Sequence, residues 1–458
     1  MKVVICGAGQ VGFNIARQLS EEGNDVTVVD QEAERINRVA SSLDVQAIMG
    51  FASHPDVLEQ ARTQDADMLI AVTREDEINM IACQIAHSLF NVPVKIARIR
   101  EPAYMKPMWA DLFSRDHLPI DVIISPEVEV ARAIARRLEV PGAFDVIPLA
   151  EGKVKLIGLK CKEDCPVVNT PLLQLTELFP DLHITVVSIV RDNKLIVPSN
   201  TDQMLAGDAV CFIAEATHVK RAMEAFGQEG QEARRVCIIG GGNVGLFLAQ
   251  ELEKNHPGVH PKLIEFDLHR AEQIAEKLDQ TVVLHGDALD LQLLEEMNIR
   301  SAEAIVAVTN NDETNILGSL LAKRQGCPRA IALINNDTYG QLVGWLGIDA
   351  VVSPRVITIS SILQHVRRGR IRAVHTLHEG MGEIIEAEAL KTSSLVGKPL
   401  REVNLPDEIL IGAIVRDEKV LIPRGGTTIK TGDRIILFAA AGAVKKVEKL
   451  FTVGLEFF

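Results

Sequence analysis

The stretch Gly7-Ala8-Gly9-Gln10-Val11-Gly12 returns 233 residues later as Gly240-Gly241-Gly242-Asn243-Val244-Gly245. Each copy directly follows an apolar, β-branched run, residues 3–6 and 236–239. Each also opens a segment with apolar residues four apart, Val11, Ile15 and Leu19 in one and Val244, Leu248 and Leu252 in the other. The order strand, tight turn, helix is what makes a glycine triplet informative. Without a Cβ the turn can form, a pyrophosphate can approach the backbone and the helix can pack closely. The helix N-terminus then offers unpaired N–H groups to phosphate. An acidic residue ends the next apolar run in both copies, Asp30 and Glu265, where a carboxylate accepts hydrogen bonds from a ribose diol. Such a carboxylate repels a 2'-phosphate, so NAD(H) or an adenine nucleotide is expected over NADP(H).

Outward from the loops, the repetition covers nearly the whole chain. ADMLIAVTREDEINMIACQIA, from Ala66, returns as AEAIVAVTNNDETNILGSLLA from Ala302, and IVRDNKLIVP, from Ile189, as IVRDEKVLIP from Ile414. Short apolar runs at 3–6, 26–29, 68–72, 95–99 and 122–124, and their copies at 236–239, 262–266, 304–308, 330–333 and 350–352, alternate with amphipathic segments, the pattern of a doubly wound parallel sheet. After Pro141 and again after about Arg372 the texture shifts to short strands and tight turns, including a hairpin around Arg191-Asp192-Asn193-Lys194. The expected fold class is α/β, with two Rossmann-like domains, 1–124 and 232–350, alternating with two small α+β domains, 143–227 and 370–455.

Thr73-Arg74 and Thr309-Asn310 fall at the carboxyl edge of these sheets, where ligands bind, although Thr there also suits helix capping. Arg98 enters the same edge and can neutralise phosphate, but its counterpart is Leu333. Asp287 has no acidic counterpart and reads as a base or ribose contact or as an exposed loop acid. Neither tyrosine, Tyr104 or Tyr339, is followed four residues on by Lys, and no HExxH, GxSxG or P-loop is present, so binding without turnover is expected. Arg132, Arg136 and Arg137, and again Arg367, Arg368, Arg370 and Arg372, read either as solvated charge at a helix end or as a docking surface for an acidic partner.

The 458 residues suffice for several cores, and 62 acidic against 48 basic residues, a net charge of -14, argue against a nucleic-acid partner. No stretch has the ~20 apolar residues of a membrane-spanning helix, and no signal peptide precedes residue 3, so a cytoplasmic location is expected. Seven scattered cysteines fit free thiols. Cys161 and Cys165, in CKEDC, are the one close pair, read as two thiols flanking a turn rather than as a zinc site.

Tandem GxGxxG domains carrying AVTxxDExN (Ala71-Val72-Thr73, Asp76-Glu77 and Asn79; Ala307-Val308-Thr309, Asp312-Glu313 and Asn315), each followed by a small module ending in Gly207-Asp208 or Gly432-Asp433, resemble the regulator-of-potassium-conductance family. The duplicated form without a pore is similar to the peripheral subunits of bacterial Trk-type potassium uptake. The resemblance implies a non-enzymatic regulator on the cytoplasmic face of the inner membrane, a homo-oligomeric ring (a tetramer) that gates a membrane potassium transporter. It implies NAD(H), and in relatives ATP or ADP, bound by Gly7, Ala8, Gly9, Gln10, Val11, Asp30, Thr73, Arg74 and Arg98. The second site would comprise Gly240, Gly241, Gly242, Asn243, Val244, Glu265, Asp287, Thr309 and Asn310. The residues alone leave open an NAD-dependent oxidoreductase or a soluble nucleotide sensor without a membrane partner.

Overall fold

Runs of Val, Ile and Ala too apolar to face water on either side build the first sheet. In the computed structural model, which describes residues 1–178, 182–228, 230, 232–343, 345–366 and 371–451, the chain divides into two compact units. The first unit takes residues 1–129 and helix Pro354–Val366. Its strands are β1 (Lys2–Cys6), β2 (Asp25–Asp30), β3 (Gln46–Met49), β4 (Met68–Ala71), β5 (Val94–Arg98) and β6 (Val122–Ile124). They form a parallel sheet in the order β3-β2-β1-β4-β5-β6, which reverses between β1 and β4. Helix Gln10–Glu21 buries Ile15, Ala16 and Leu19 on one face of it. On that same face, Ile359, Ile362, Leu363 and Val366 join the core of Val3, Ile5, Val28 and Ile70. A helix from the end of the second α/β segment thus completes the first α/β core.

The second unit takes residues 130–353 and the described part of 367–458. Its first sheet is antiparallel, with β7 (Ala143–Leu149), β8 (Val154–Lys160), β9 (Ile184–Arg191), β10 (Lys194–Ile196) and β11 (Ala209–Glu215) in the order β10-β9-β11-β8-β7. Next come β12 (Arg235–Ile239), β13 (His260–Glu265), β14 (Val282–His285), β15 (Ala304–Ala307), β16 (Ala330–Leu333) and β17 (Ala350–Val352), parallel in the order β14-β13-β12-β15-β16-β17. The last sheet is antiparallel, β18 (Ile371–Leu377), β19 (Gly382–Glu388), β20 (Ile409–Arg416), β21 (Lys419–Leu421) and β22 (Arg434–Ala440), in the order β18-β19-β22-β20-β21. The two small sheets share one apolar core, in which Leu156, Val187 and Ile213 meet Ile384, Ala413 and Phe438. Helix Pro126–Glu139 ends against the second α/β domain, where Ala233 N donates to Leu138 O at 3.4 Å and Arg329 Nη2 to Ala143 O at 2.8 Å.

Two repeated sequence signals, Arg-Asp in the hairpin and Gly-Asp before the last strand, prove to be one device. The hairpin turns on Asp192 and Asn193 at φ 49° and 59°, and its copy on Asp417 and Glu418 at 47° and 68°, the left-handed pair of a two-residue turn. Arg191 then reaches back to buried Asp208, Nε to Oδ1 at 2.9 Å and Nη2 to Oδ2 at 2.7 Å, while Leu205 N also donates to Oδ2. Arg416, Asp433 and Lys430 repeat this at 2.7, 2.6 and 2.8 Å. A two-pronged guanidinium bond locks each hairpin to the strand beside it.

Candidate functional site

The three motif glycines of each loop, Gly7, Gly9 and Gly12 or Gly240, Gly242 and Gly245, answer to different constraints. Gly7 sits at φ +109°, and a Cβ on it would lie 3.0 Å from Thr73 N. A Cβ on Gly12 would overlap Gly7 O. Both glycines are therefore required by the chain itself, which brings the loop after β1 against the loop after β4 where the strand order reverses, the place where ligands bind in open α/β sheets. Gly9 differs, because a Cβ there would meet nothing within 4 Å and its φ of -64° suits any residue. The second loop repeats each feature, with Gly240 at +102° against Thr309, Gly245 against Gly240 O, and Gly242 facing open space. Gln10, Val11, Asn243 and Val244 form the first turns of helices Gln10–Glu21 and Asn243–Asn255, which start here with no side-chain cap.

The acidic residues at the ends of β2 and β13 reach these loops. Asp30 Oδ2 accepts from Ala8 N at 2.6 Å and Oδ1 from Glu32 N at 2.9 Å; Glu265 Oε2 accepts from Gly241 N at 2.7 Å and Oε1 from Asp267 N at 2.9 Å. A carboxylate has about four acceptor positions, so each keeps capacity for a diol. Five residues beyond each acid stands an arginine that the sequence reading passed over. Arg35 lies 3.7 Å from Asp30 and 2.9 Å from Glu32, whereas Arg270 donates from Nε to Gly241 O at 2.9 Å and from Nη2 to Asn243 Oδ1 at 3.4 Å. The equal spacing, Asp30 to Arg35 and Glu265 to Arg270, was the available signal.

The AVTxxDExN segments act as scaffolding. Asn79 Oδ1 accepts from Thr73 N and Oγ1 at 2.9 and 2.8 Å while its Nδ2 donates to Arg98 O at 2.9 Å, joining the ends of β4 and β5. Asn315 does the same for Thr309 and Leu333 at 2.8, 2.7 and 2.8 Å. Asp76 and Asp312 hold the following loop through the amides of Arg100 and Glu101, and of Asn335 and Asn336. The hydroxyls of Thr73 and Thr309 are therefore engaged within their own turns.

Charge around the two edges diverges. Burial, and then the neighbouring Arg100, pulls the Arg98 guanidinium below the ordinary arginine range, with Glu127 and Asp76 acting oppositely. Among the described residues its Nε is buried with no hydrogen-bond partner. Arg74 is exposed and contributes to the same field. The second edge has Leu333 and exposed Asn310 in those places. Asp287 is exposed and caps its own turn, accepting from Leu289 N at 2.9 Å. Of the basic runs, Arg137 is buried and spent internally on Asp145, Phe144 O and Ala133 O, so it is neither solvated nor a docking surface. Arg367, Arg368 and Arg370 lie outside the described residues, and Arg372 pairs with Glu388 at 2.7 Å.

The TrkA-N domain model matches residues 3–126 and 236–354, and the TrkA-C domain model matches 156–227 and 384–452. The chain belongs to the TrkA family. It is 52% identical to the Trk system potassium uptake protein TrkA of Azorhizobium caulinodans, with 100% of both chains covered, and 44% identical to that of Halomonas elongata over the same share. Among solved structures, the GsuK RCK domain covers 98% of this chain and 94% of its own at a TM-score of 0.61 and 20% identity. The GsuK channel bound to NAD covers 98% and 78% at 0.60 and 18%. Likeness at that identity establishes the fold, an alternation of Rossmann-like and small antiparallel domains. No helix among the described residues is long and apolar enough to cross a membrane.

Proposed function

We propose that this TrkA-family chain is a nucleotide-binding regulatory subunit of potassium uptake, without turnover of its own, which takes NAD(H) or ADP and ATP at both glycine loops. The observation that carries the reading is the pairing of Gly9 and Gly242, which nothing in the chain requires to be glycine, with a carboxylate held on the adjacent loop amide. That pairing leaves backbone for a pyrophosphate beside an acceptor for a ribose diol, and its negative charge disfavours a 2'-phosphate. The NAD-bound GsuK channel of like fold supports the choice of ligand. First-site contacts are assigned to Gly7, Ala8, Gly9, Gln10, Val11, Asp30, Thr73, Arg74 and Arg98. Second-site contacts are assigned to Gly240, Gly241, Gly242, Asn243, Val244, Glu265, Asp287, Thr309 and Asn310.

In this reading the subunit assembles as a homotetrameric ring on the cytoplasmic face of a Trk-type membrane transporter, and nucleotide acts by binding one ring conformation more tightly. Both tryptophans of the chain support a protein partner. Trp109 is 53% and Trp345 91% exposed, each with further exposed apolar residues nearby in sequence, Met108 and Leu342. Calorimetry on the full chain tests the sites. Gly9→Ala and Gly242→Ala, which the fold accommodates, should each abolish binding at one loop or weaken it more than about tenfold. NADH affinity that survives both substitutions would overturn the assignment.

A further inference from the structure

The second glycine loop lacks the cations that stand at the edge of the first, with Leu333 in place of Arg98 and Asn310 in place of Arg74. A pyrophosphate brings negative charge to either loop, and a helix N-terminus compensates only part of it. A different arginine reaches the second loop. Arg270 leaves the first turn of helix Leu268–Ala275, half-buried, and donates from Nε to Gly241 O at 2.9 Å and from Nη2 to Asn243 Oδ1 at 3.4 Å. Its guanidinium is thereby braced on the residues either side of Gly242, the glycine whose Cβ would meet nothing, and at the start of helix Asn243–Asn255. A guanidinium has five N–H donors, of which these bonds use two.

The reason Arg270 goes to its loop and Arg35 does not lies three residues before each. Asp267 caps its helix, Oδ1 accepting from Arg270 N at 2.7 Å, so that carboxylate is spent on the backbone. Glu32, one methylene longer, makes no such bond at the start of helix Ala33–Ser42. It takes the Arg35 side chain instead, Oε1 to Nη2 at 2.9 Å, with Asp30 Oδ2 3.7 Å from Nη1. The identity of the capping acid decides whether the arginine five residues beyond the ribose acid is consumed locally or delivered to the loop.

We infer that Arg270 is a phosphate-binding residue of the second loop, gripping the adenosine-side phosphate of a nucleoside diphosphate or dinucleotide, in place of the cations that the first site carries after β4 and β5. The inference rests on the reading of the glycine loops as nucleotide sites. Gly241 fixes the geometry, since its N–H donates to Glu265 Oε2 while its carbonyl accepts from Arg270 Nε. Carboxylate and guanidinium thus flank one residue, and a nucleotide whose ribose meets the first has its nearest phosphate beside the second. The planar fork then offers paired donors to two oxygens of that phosphate.

The test uses the full chain carrying Gly9→Ala, which confines nucleotide to the second loop, and measures ADP and adenosine binding by calorimetry. Adding Arg270→Gln should weaken ADP about tenfold or more and leave adenosine, which has no phosphate, within about twofold. Retained adenosine binding also reports that the loop is folded. Arg270→Lys, which keeps the charge, should recover most of the ADP affinity. In a Gly242→Ala chain the matched change, Arg35→Gln, should shift ADP at the first loop by less than about twofold, because Glu32 already holds that arginine. ADP affinity untouched by Arg270→Gln would overturn the inference. So would equal losses of ADP and adenosine, the result expected of a guanidinium that stacks on the base or only braces the loop. Both outcomes leave the glycine assignments standing, whereas a Gly9→Ala chain that binds no ADP would overturn the nucleotide reading of the second loop and this inference with it.

Discussion

Replacing Gly12 by alanine separates the structural glycines from the open one. The new Cβ would overlap Gly7 O and stand 3.0 Å from Gly7 C and 3.4 Å from Val72 Cγ2. Gly7 cannot yield, because its N–H donates to Val29 O at 2.7 Å and its other side abuts Thr73 N. Relief must come from lifting helix Gln10–Glu21, which seats Ile15, Ala16 and Leu19 on the sheet. Overpacking of this kind costs about 1–3 kcal/mol and loosened burial adds to it, whereas alanine gains about 1 kcal/mol of helix propensity over glycine. A net loss of about 2 kcal/mol remains. Because a chain of this size does not unfold in one step, hydrogen exchange of peptides from residues 2–30 is the suitable assay. At about tenfold per 1.4 kcal/mol, protection should fall roughly 30-fold in Gly12→Ala and stay within about twofold in Gly9→Ala. Unchanged protection in Gly12→Ala, or equal losses in both, would refute the division of roles among the three glycines.

Two further outcomes follow from buried polar groups. Asn315→Ala removes the acceptor for Thr309 N and the donor to Leu333 O, so exchange protection in residues 304–324 should drop by the equivalent of about 2–4 kcal/mol, while Asn315→Asp should keep the bonds accepted from Thr309 N and Oγ1 and lose those donated to Thr309 O and Leu333 O. Burial, and then Arg136, pulls His375 down from 6.5 to about 4, against the pull of Asp145. Between those values the unfolded chain binds the proton and the folded chain does not, so stability falls as pH drops from about 6.5 towards 4, by an amount of order 3 kcal/mol. Exchange protection of peptides from residues 371–388, corrected for the intrinsic pH dependence of exchange, should fall between pH 7 and pH 5 in the wild type and fall less in His375→Asn; parallel behaviour of the two proteins would refute the assignment.

The alternation of parallel and antiparallel sheets was legible because buried strands such as β1, β4 and β12 are short unbroken apolar runs between glycine turns and amphipathic segments. Strands β3 and β14, QAIM and VVLH, were passed over since each lies at a sheet edge with both ends exposed, and an edge strand needs little apolar character. Helix Pro354–Val366 is readable as a helix, but its apolar residues specify burial without specifying a partner, and a chain with two near-identical sheets offers two. Only tertiary packing assigns Ile362 and Leu363 to the first. Local pattern also misjudged Arg137, whose partner Asp145 lies eight residues on and across a turn.

The site shows the same boundary between local and distant information. Three glycines look alike in sequence, and two of them are explained by backbone contacts with Gly7 O, Thr73 N and their copies, contacts that exist only once β1 and β4 are neighbours. What holds the backbone is duplicated residue for residue, from Gly7 and Gly240 to Asn79 and Asn315. What would face a ligand's charge is not, since Arg98 and Arg74 stand opposite Leu333 and Asn310, and Arg270 lies across its own loop where Arg35 turns to Glu32. Packing demands the first set equally in both halves and is indifferent to the second. On the proposed assignment that divergence would belong to the ligands, with Arg74 and Arg98 adding positive charge at the first edge and Arg270 at the second loop.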